Sequence, residues 1–272
     1  MTVTQPSERL EIIVFENEIT PTHLADRIDH RSLISGNVGS KGLSTGIATF
    51  QVGAMLPLHT HPTSEVIIPL SGKIRAIVEG RRYLLEQYDA LHIPRGIPHC
   101  VHNDLSDEPV TCFTVFATEQ PTREWVQSGF TIEDHDATSS SVPEHLTRMS
   151  TAPVYELAEA ALFRDLFTDQ MGSRGICGGY GKFQPGSSLP CHIHGYDESI
   201  TIVEGEAVCQ VAGQEYTLSN NATACVPEGR PHRFINRSNQ PMAMIWVYAG
   251  DEPDRTILDQ CCCEQAESAK PV

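Results

Sequence analysis

Short apolar runs rich in Val, Ile, Thr, Tyr and Phe recur along this chain, and Gly, Pro, Asn or Asp interrupts them at roughly ten-residue intervals, the texture of successive antiparallel strands. The runs Glu65–Leu70 and Lys73–Val78 read as two strands joined across Ser71 and Gly72, and Glu79-Gly80-Arg81 reads as the next hairpin turn. Val110–Ala117 and Met242–Ala249 are nearly continuous apolar runs of strand length. Regular short strands with turn signals predict an all-β sandwich or barrel. One segment departs from that texture. Between Tyr155 and Gln170, Leu157, Ala160, Ala161, Leu162 and Leu166 can share one face, which predicts a short helix.

The pattern is written twice. A shift of 133 residues brings Gly46 onto Gly179, Phe50 onto Phe183, Gly53 onto Gly186 and Leu56-Pro57 onto Leu189-Pro190. It continues without a gap through Gly72 and Gly205, Tyr83 and Tyr216, and Pro94 and Pro227 to Asn103 and Asn236. A duplicated domain follows. The first copy is assigned to residues 1–138 and the second to 139–260, with the Ser-rich stretch Thr138–Pro143 as the most linker-like piece. Residues 261–272 form a polar tail, expected to be disordered; it opens on Cys261-Cys262-Cys263, for which metal binding or redox chemistry is conceivable.

Within the repeat, each copy carries two histidines one residue apart and a glutamate four further on: His59, His61 and Glu65, then His192, His194 and Glu198. On an extended strand, residues i and i+2 project from one face, so both imidazoles can aim at one atom. The turn-prone steps Pro62-Thr63-Ser64 and Gly195-Tyr196-Asp197 let the chain bring the carboxylate back to the same centre. A third histidine in each half, His99 and His232, completes the set. Three neutral imidazoles and a carboxylate form a donor set of borderline hardness. It suits a divalent transition metal, with Fe(II) or Mn(II) favoured and Ni(II), Co(II) or Zn(II) as alternatives, and it suits Ca or Mg poorly.

Charge and composition narrow the partners. With 35 acidic against 19 basic residues and a formal charge of -16, the surface repels nucleic acid and anionic lipid. Met1 to Arg9 has no apolar signal core, and no later run approaches the roughly 20 apolar residues of a membrane span, so a cytoplasmic protein without a membrane partner is expected. Nine cysteines without paired spacing argue against a disulfide framework, and most read as small buried apolar residues.

The stretches Gly53-x5-His59-x-His61-x3-Glu65-x6-Gly72 and Gly186-x5-His192-x-His194-x3-Glu198-x6-Gly205 resemble the first motif of the cupin superfamily. Pro94-x-Gly96-x2-His99-x3-Asn103 and Pro227-x-Gly229-x2-His232-x3-Asn236 resemble its second motif. The resemblance covers both halves and implies a bicupin: two tandem β-barrels of jelly-roll (double-stranded β-helix) type with minor helical segments, one metal in each. One departure is visible. The glycine that usually opens the second motif is Tyr88 in one copy and Asn221 in the other, and since Tyr tolerates a left-handed turn poorly, the first copy's turn is expected to differ.

The function expected from this set is a metal-dependent enzyme acting on a small organic molecule. A non-haem dioxygenase is the first guess, with Glu65 or Glu198 as a base when off the metal. A metal-dependent isomerase, lyase or decarboxylase would use the same groups, and a non-catalytic sugar-binding or small-ligand bicupin is the alternative of another class. Gln51, Tyr180 and Lys182 lie on the strand leading into the first motif and are candidates to contact substrate from one face of it, or to cover its outer surface from the other. His92 and His102 lie near the first motif set; His102 and Arg233 have the wrong parity to face the metal. His23, His30, His135 and His145 are assigned to the surface, and Asn103 and Asn236 to backbone turns. Exposed sheet edges make a homo-oligomer a natural assembly.

Overall fold

The computed structural model describes residues 9–127, 129–133 and 142–258. Each half folds into a jelly roll of two facing antiparallel sheets. In the first, a seven-stranded sheet runs in the order His145–Thr147, Ala90–Ile93, Glu65–Pro69, Val110–Phe116, Ser44–Phe50, Ile28–Ile34 and Thr22–Ala25. It faces a five-stranded sheet of Glu124–Trp125, Met55–Thr60, His99–His102, Ile74–Val78 and Arg81–Leu85. The second half repeats the order: Ile12–Val14, Thr223–Val226, Glu198–Glu204, Met242–Tyr248, Cys177–Phe183, Ala161–Phe167 and Tyr155–Ala158, facing Gln214–Ser219, Glu206–Val211, His232–Ile235, His192–Ile193 and Thr256–Ile257. Helix among the described residues is limited to short 3-10 turns.

Why some strands are continuously apolar is now plain. Ile67, Leu91 and Cys112 point into the first barrel, while their neighbours Val66, Ile68, Phe113 and Val115 pack outward against Tyr180, Ala243, Ile245 and Val247 of the second. A sheet buried on both faces has no polar alternation to show. Cys112, Cys177 and Cys225 are buried free thiols, Cys209 packs in the second core, and Cys191 is disulfide-bonded. Cys261, Cys262, Cys263 and the rest of the tail lie outside the described residues, as does His135.

The barrels exchange strands. Ile12–Val14 pairs with Thr223–Val226 of the second barrel, and His145–Thr147 pairs with Ala90–Ile93 of the first. A strand near the start of each copy therefore closes the other copy's sheet edge. Equivalent polar pairs fasten both exchanges: the Tyr216 hydroxyl donates to Glu11 at 2.8 Å, and the Tyr83 hydroxyl donates to Glu144 at 2.6 Å. Asp197, buried beside candidate ligand Glu198, accepts from Arg9 at 2.7 Å and from the Lys41 backbone at 2.9 Å.

Two sequence expectations are corrected. Tyr155–Ala158 and Ala161–Phe167 form a hairpin, not a helix, with Ala160 at φ 58° in its turn. Pairing with Cys177–Phe183 buries Phe163 and Phe167, and that tertiary gain overrides a locally helical composition. Tyr88 adopts the same left-handed turn as Asn221, at φ 64° against 61°, and the backbone N–H of each donates to the preceding strand end, Pro69 or Ile202, at 2.8 Å. The strain in Tyr88 is offset by burial of its ring between the barrels, 5.0 Å from the ring of Tyr180.

His92 is also in this interface. It is 1% exposed, and neither ring nitrogen has a hydrogen-bond partner. Burial, with His145 and Arg174 nearby, holds its pKa down at about 4. A histidine depressed in the folded state favours folding above its unfolded value near 6.5, and that contribution is lost as the pH falls toward 4. Replacing His92→Leu is expected to flatten the acid limb of the stability profile. Urea titrations should show the variant gaining about 2 kcal/mol on the wild type between pH 7 and pH 5. Parallel profiles would contradict the assignment.

Candidate metal centres

Strand register builds both centres. His59 and His99 are cross-strand partners on the five-stranded sheet of the first barrel, with ring centroids 4.2 Å apart. His192 and His232 repeat this pairing in the second, at 4.4 Å. His61 and His194 follow on the turn, and Glu65 and Glu198 open an inner strand of the facing seven-stranded sheet, so each centre bridges the two sheets. All eight residues are buried, and within each set of four the donor atoms lie within 4.8 Å of one another.

The tautomers are dictated by backbone oxygens. Nδ1 of His59 donates to Pro57 O at 2.7 Å, His61 to Thr122 O at 2.6 Å, and His99 to Ile97 O at 2.9 Å. In the second barrel His192 donates to Pro190 O at 2.8 Å, His232 to Arg230 O at 2.9 Å, and His194 to Asp254 O. A carbonyl can only accept, so each of these Nδ1 atoms carries a proton and each Nε2 is turned inward, those of His99 and His232 onto the carboxylates of Glu65 and Glu198. Nε2 of His59 and His61 is buried with no hydrogen-bond partner, and Glu65 Oε2 lies 2.7 Å from His99 Nε2 and 3.4 Å from His61 Nε2. Glu198 Oε2 lies 2.7 Å from His232 Nε2 and 3.1 Å from His194 Nε2.

Burial holds the His59 imidazole down to about 3 and His192 to about 2, and lowers His61. Burial alone would raise Glu65 and Glu198, but the adjoining imidazoles hold both carboxyls below the usual range. Three inward-turned Nε2 atoms converging on one carboxylate fit a divalent transition metal, the group for which this donor set is suited.

The surroundings of the two centres differ. A cavity of about 190 Å³ adjoins the first and is lined by Glu65 and His61, by apolar Leu24, Ile67, Val101 and Phe116, and by the polar side chains His30 and Arg123. In the second barrel, Phe163 takes the register position of His30, opposite Gly181 where His30 is opposite Ala48. Trp246 takes that of Thr114, opposite Gly179 as Thr114 is opposite Gly46. Trp246 and Tyr248 are almost fully buried, and the Tyr248 ring lies 4.4 Å from His194. The cleft of about 390 Å³ at that barrel's mouth is lined by Trp246, Tyr248 and Arg255 and by none of the four candidate ligands.

Three placements differ from expectation. His30 is not on the surface: a Cβ on Gly46 would lie 2.3 Å from its Nε2, so glycine makes room for the ring inside the barrel. Burial brings His30 to about 4. The polar segment after the first barrel, to which the sequence assigns no strand, supplies a strap: Glu124 and Trp125 pair with Thr60 and His59, and Thr122 O fixes His61. Its counterpart, Thr256 and Ile257 with Asp254 O, repeats it, and the shared Pro-x-Arg at Pro121–Arg123 and Pro253–Arg255 was the available signal. Gln51, Tyr180 and Lys182 do not line the first cavity. Gln51 is exposed beyond the strand end, while Tyr180 and Lys182 have outward parity and approach Glu204 at 3.2 and 3.3 Å. His102 and Arg233 likewise point to Cys100 and Gln210, outside both centres. Asn103 and Asn236 tie backbone turns, through Phe50 O at 3.1 Å and Phe183 O at 3.2 Å.

Two jelly rolls in one chain, each enclosing three histidines and a glutamate, define a two-barrel protein with paired metal-type centres. The chain belongs to the cupin family: the family model described as "Cupin domain" matches residues 46–116 and again 179–248. Oxalate decarboxylase from Bacillus subtilis superposes with a TM-score of 0.74 at 15% identity, over 93% of this chain and 80% of that one. A formate complex of the Lactobacillus farciminis oxalate decarboxylase gives 0.76, also at 15% identity, over 93% and 90%. Among curated proteins, the tetracenomycin polyketide synthase protein TcmJ of Streptomyces glaucescens is 32% identical over 69 residues, 25% of this chain; the match spans about half of that relative, 46% of its length. No described helix is long and apolar enough to cross a membrane.

Metal analysis tests the centres. Reconstitution with Co(II) or Mn(II) is expected to give about two equivalents per chain, with His59→Ala and His192→Ala each losing one. Because the depressed imidazoles stay neutral on acidification, metal should be retained at pH 5, where an ordinary imidazole near 6.5 is mostly protonated. Less than about a tenth of an equivalent after reconstitution contradicts the assignment.

Proposed function

We propose that the protein is a metal-dependent enzyme that converts a small organic molecule in its first barrel, by non-haem dioxygenation. The observation that carries this reading is the union, among the described residues of the first barrel, of a complete donor set with an adjoining cavity. A divalent transition metal held by three imidazoles and a carboxylate supplies Lewis acidity and up to two exchangeable coordination positions. The chain's own residues do the rest. The apolar wall of Leu24, Ile67, Val101 and Phe116 excludes water from the substrate, and Glu65 Oε2 is the acceptor placed to take a proton from it. The second centre, packed behind Trp246 and Tyr248, acts as scaffold.

Decarboxylation is the second reading, favoured by likeness of fold to the oxalate decarboxylases. Oxalate itself has no apolar surface to match this wall, which favours a substrate with a hydrocarbon body.

Oxygen uptake with catechols, diketones and hydroxy acids tests the reaction. Turnover should need O2 and fall on the order of a hundredfold or more in His59→Ala, while His192→Ala keeps it within a few fold provided its fold survives. Undiminished turnover under strict anaerobiosis contradicts dioxygenation and transfers the reading to a lyase.

A further inference from the structure

The first cavity carries a guanidinium that makes no ion pair with any described carboxylate. Arg123 lies one residue beyond Thr122, whose carbonyl fixes His61, and pairing of the next two residues with Thr60 and His59 holds it in place. Its guanidinium carbon sits 5.5 Å from the centre of the Trp125 ring, its Nε is buried without a hydrogen-bond partner, and among the described residues no carboxylate forms an ion pair with it. It lines the same cavity as Glu65 and His61. The guanidinium is half-buried, and its planar N–H fork matches a carboxylate in shape and charge.

The second barrel sharpens the contrast. Arg255 occupies the equivalent strap position, and although its Nε is likewise unpartnered, its Nη2 reaches the hydroxyl of Tyr248 at 3.4 Å. Arg255 does face a cleft, shared with Trp246 and Tyr248, but none of the four candidate ligands of its barrel lines that cleft, whereas Arg123 shares its cavity with Glu65 and His61.

We propose that the first barrel takes a small organic carboxylate with an apolar body, Arg123 binding the carboxylate and the apolar wall the remainder. The proposal rests on the reading of this barrel as the working site and names its substrate class. Size follows from the cavity: about 190 Å³ admits a compact acid and no polymer. Selectivity follows from the chemistry. An acidic chain of net charge -16 repels anions generally, so capture of an acid depends on this one local cation. His30, the neutral polar ring over Gly46, offers the cavity's other hydrogen-bonding edge.

Calorimetric titration with benzoate and butyrate against their uncharged amides, benzamide and butyramide, tests it on both Co(II)-loaded and metal-stripped protein. At least one acid should bind about tenfold or more tightly than its amide in each form. Arg123→Gln should abolish that preference with metal content and melting temperature unchanged, Arg123→Lys should keep part of it, and Arg255→Gln should leave it intact. Wild-type protein that binds neither acid, an undiminished preference in Arg123→Gln, or a loss in Arg255→Gln instead would overturn the proposal. The stripped protein separates the two readings. A protein that holds no metal but keeps an Arg123-dependent preference defeats only the enzyme proposal, whereas metal-loaded protein that turns over without one defeats only the anion site.

Discussion

Six hydrogen bonds from imidazole Nδ1 to backbone carbonyls underlie both centres. Each fixes Nδ1 as the donor to the backbone, and together they turn six Nε2 atoms inward beside two buried carboxylates. Much of the fold can be read as the means of presenting those carbonyls. Pro57 and Pro190, and Ile97 and Arg230, sit two residues before the histidine they hold, so those four bonds are local to the motifs. Thr122 and Asp254 come from straps beyond the barrels, so His61 and His194 are oriented only once each strap has crossed its sheet. A metal bound there would be coupled to the whole barrel, since the partners that orient a metal-binding histidine also tune it.

Duplication then allowed the halves to diverge around a shared frame. Cross-strand register keeps the eight candidate ligands equivalent, while His30 gives way to Phe163 and Thr114 to Trp246, and the cleft beside Trp246 is lined by none of the second barrel's candidate ligands. The reciprocal strands Ile12–Val14 and His145–Thr147 lock the barrels together, and the apolar outer faces of their seven-stranded sheets form one continuous core. In such a pair, one half can carry chemistry while the other carries stability.

What could be read from the sequence divides along the range of the interactions. The repeat, the paired histidines, the third histidine and the all-β architecture were legible because they rest on local spacing and on turn residues such as Gly72 and Gly205. The hairpin at Tyr155 was misread because its strand character comes from pairing with Cys177–Phe183, a distant segment. His30 looked like a surface residue because only the bare Gly46 across the sheet makes room for its ring. Arg123 was hidden in a polar stretch whose place over the site is set by sheet pairing. Tyr88 kept a left-handed turn that its own chemistry disfavours because its ring is buried against the other barrel.

Anomalous diffraction from crystals of the Co(II)-loaded protein tests the central claim most directly. The account predicts one peak inside each four-residue cluster, bonded through Nε2 atoms and a glutamate oxygen at about 2.1 Å, with a non-protein molecule completing the coordination in the first barrel's cavity. Peaks bonded through Nδ1, peaks elsewhere on the molecule, or no peak in the first barrel would contradict it.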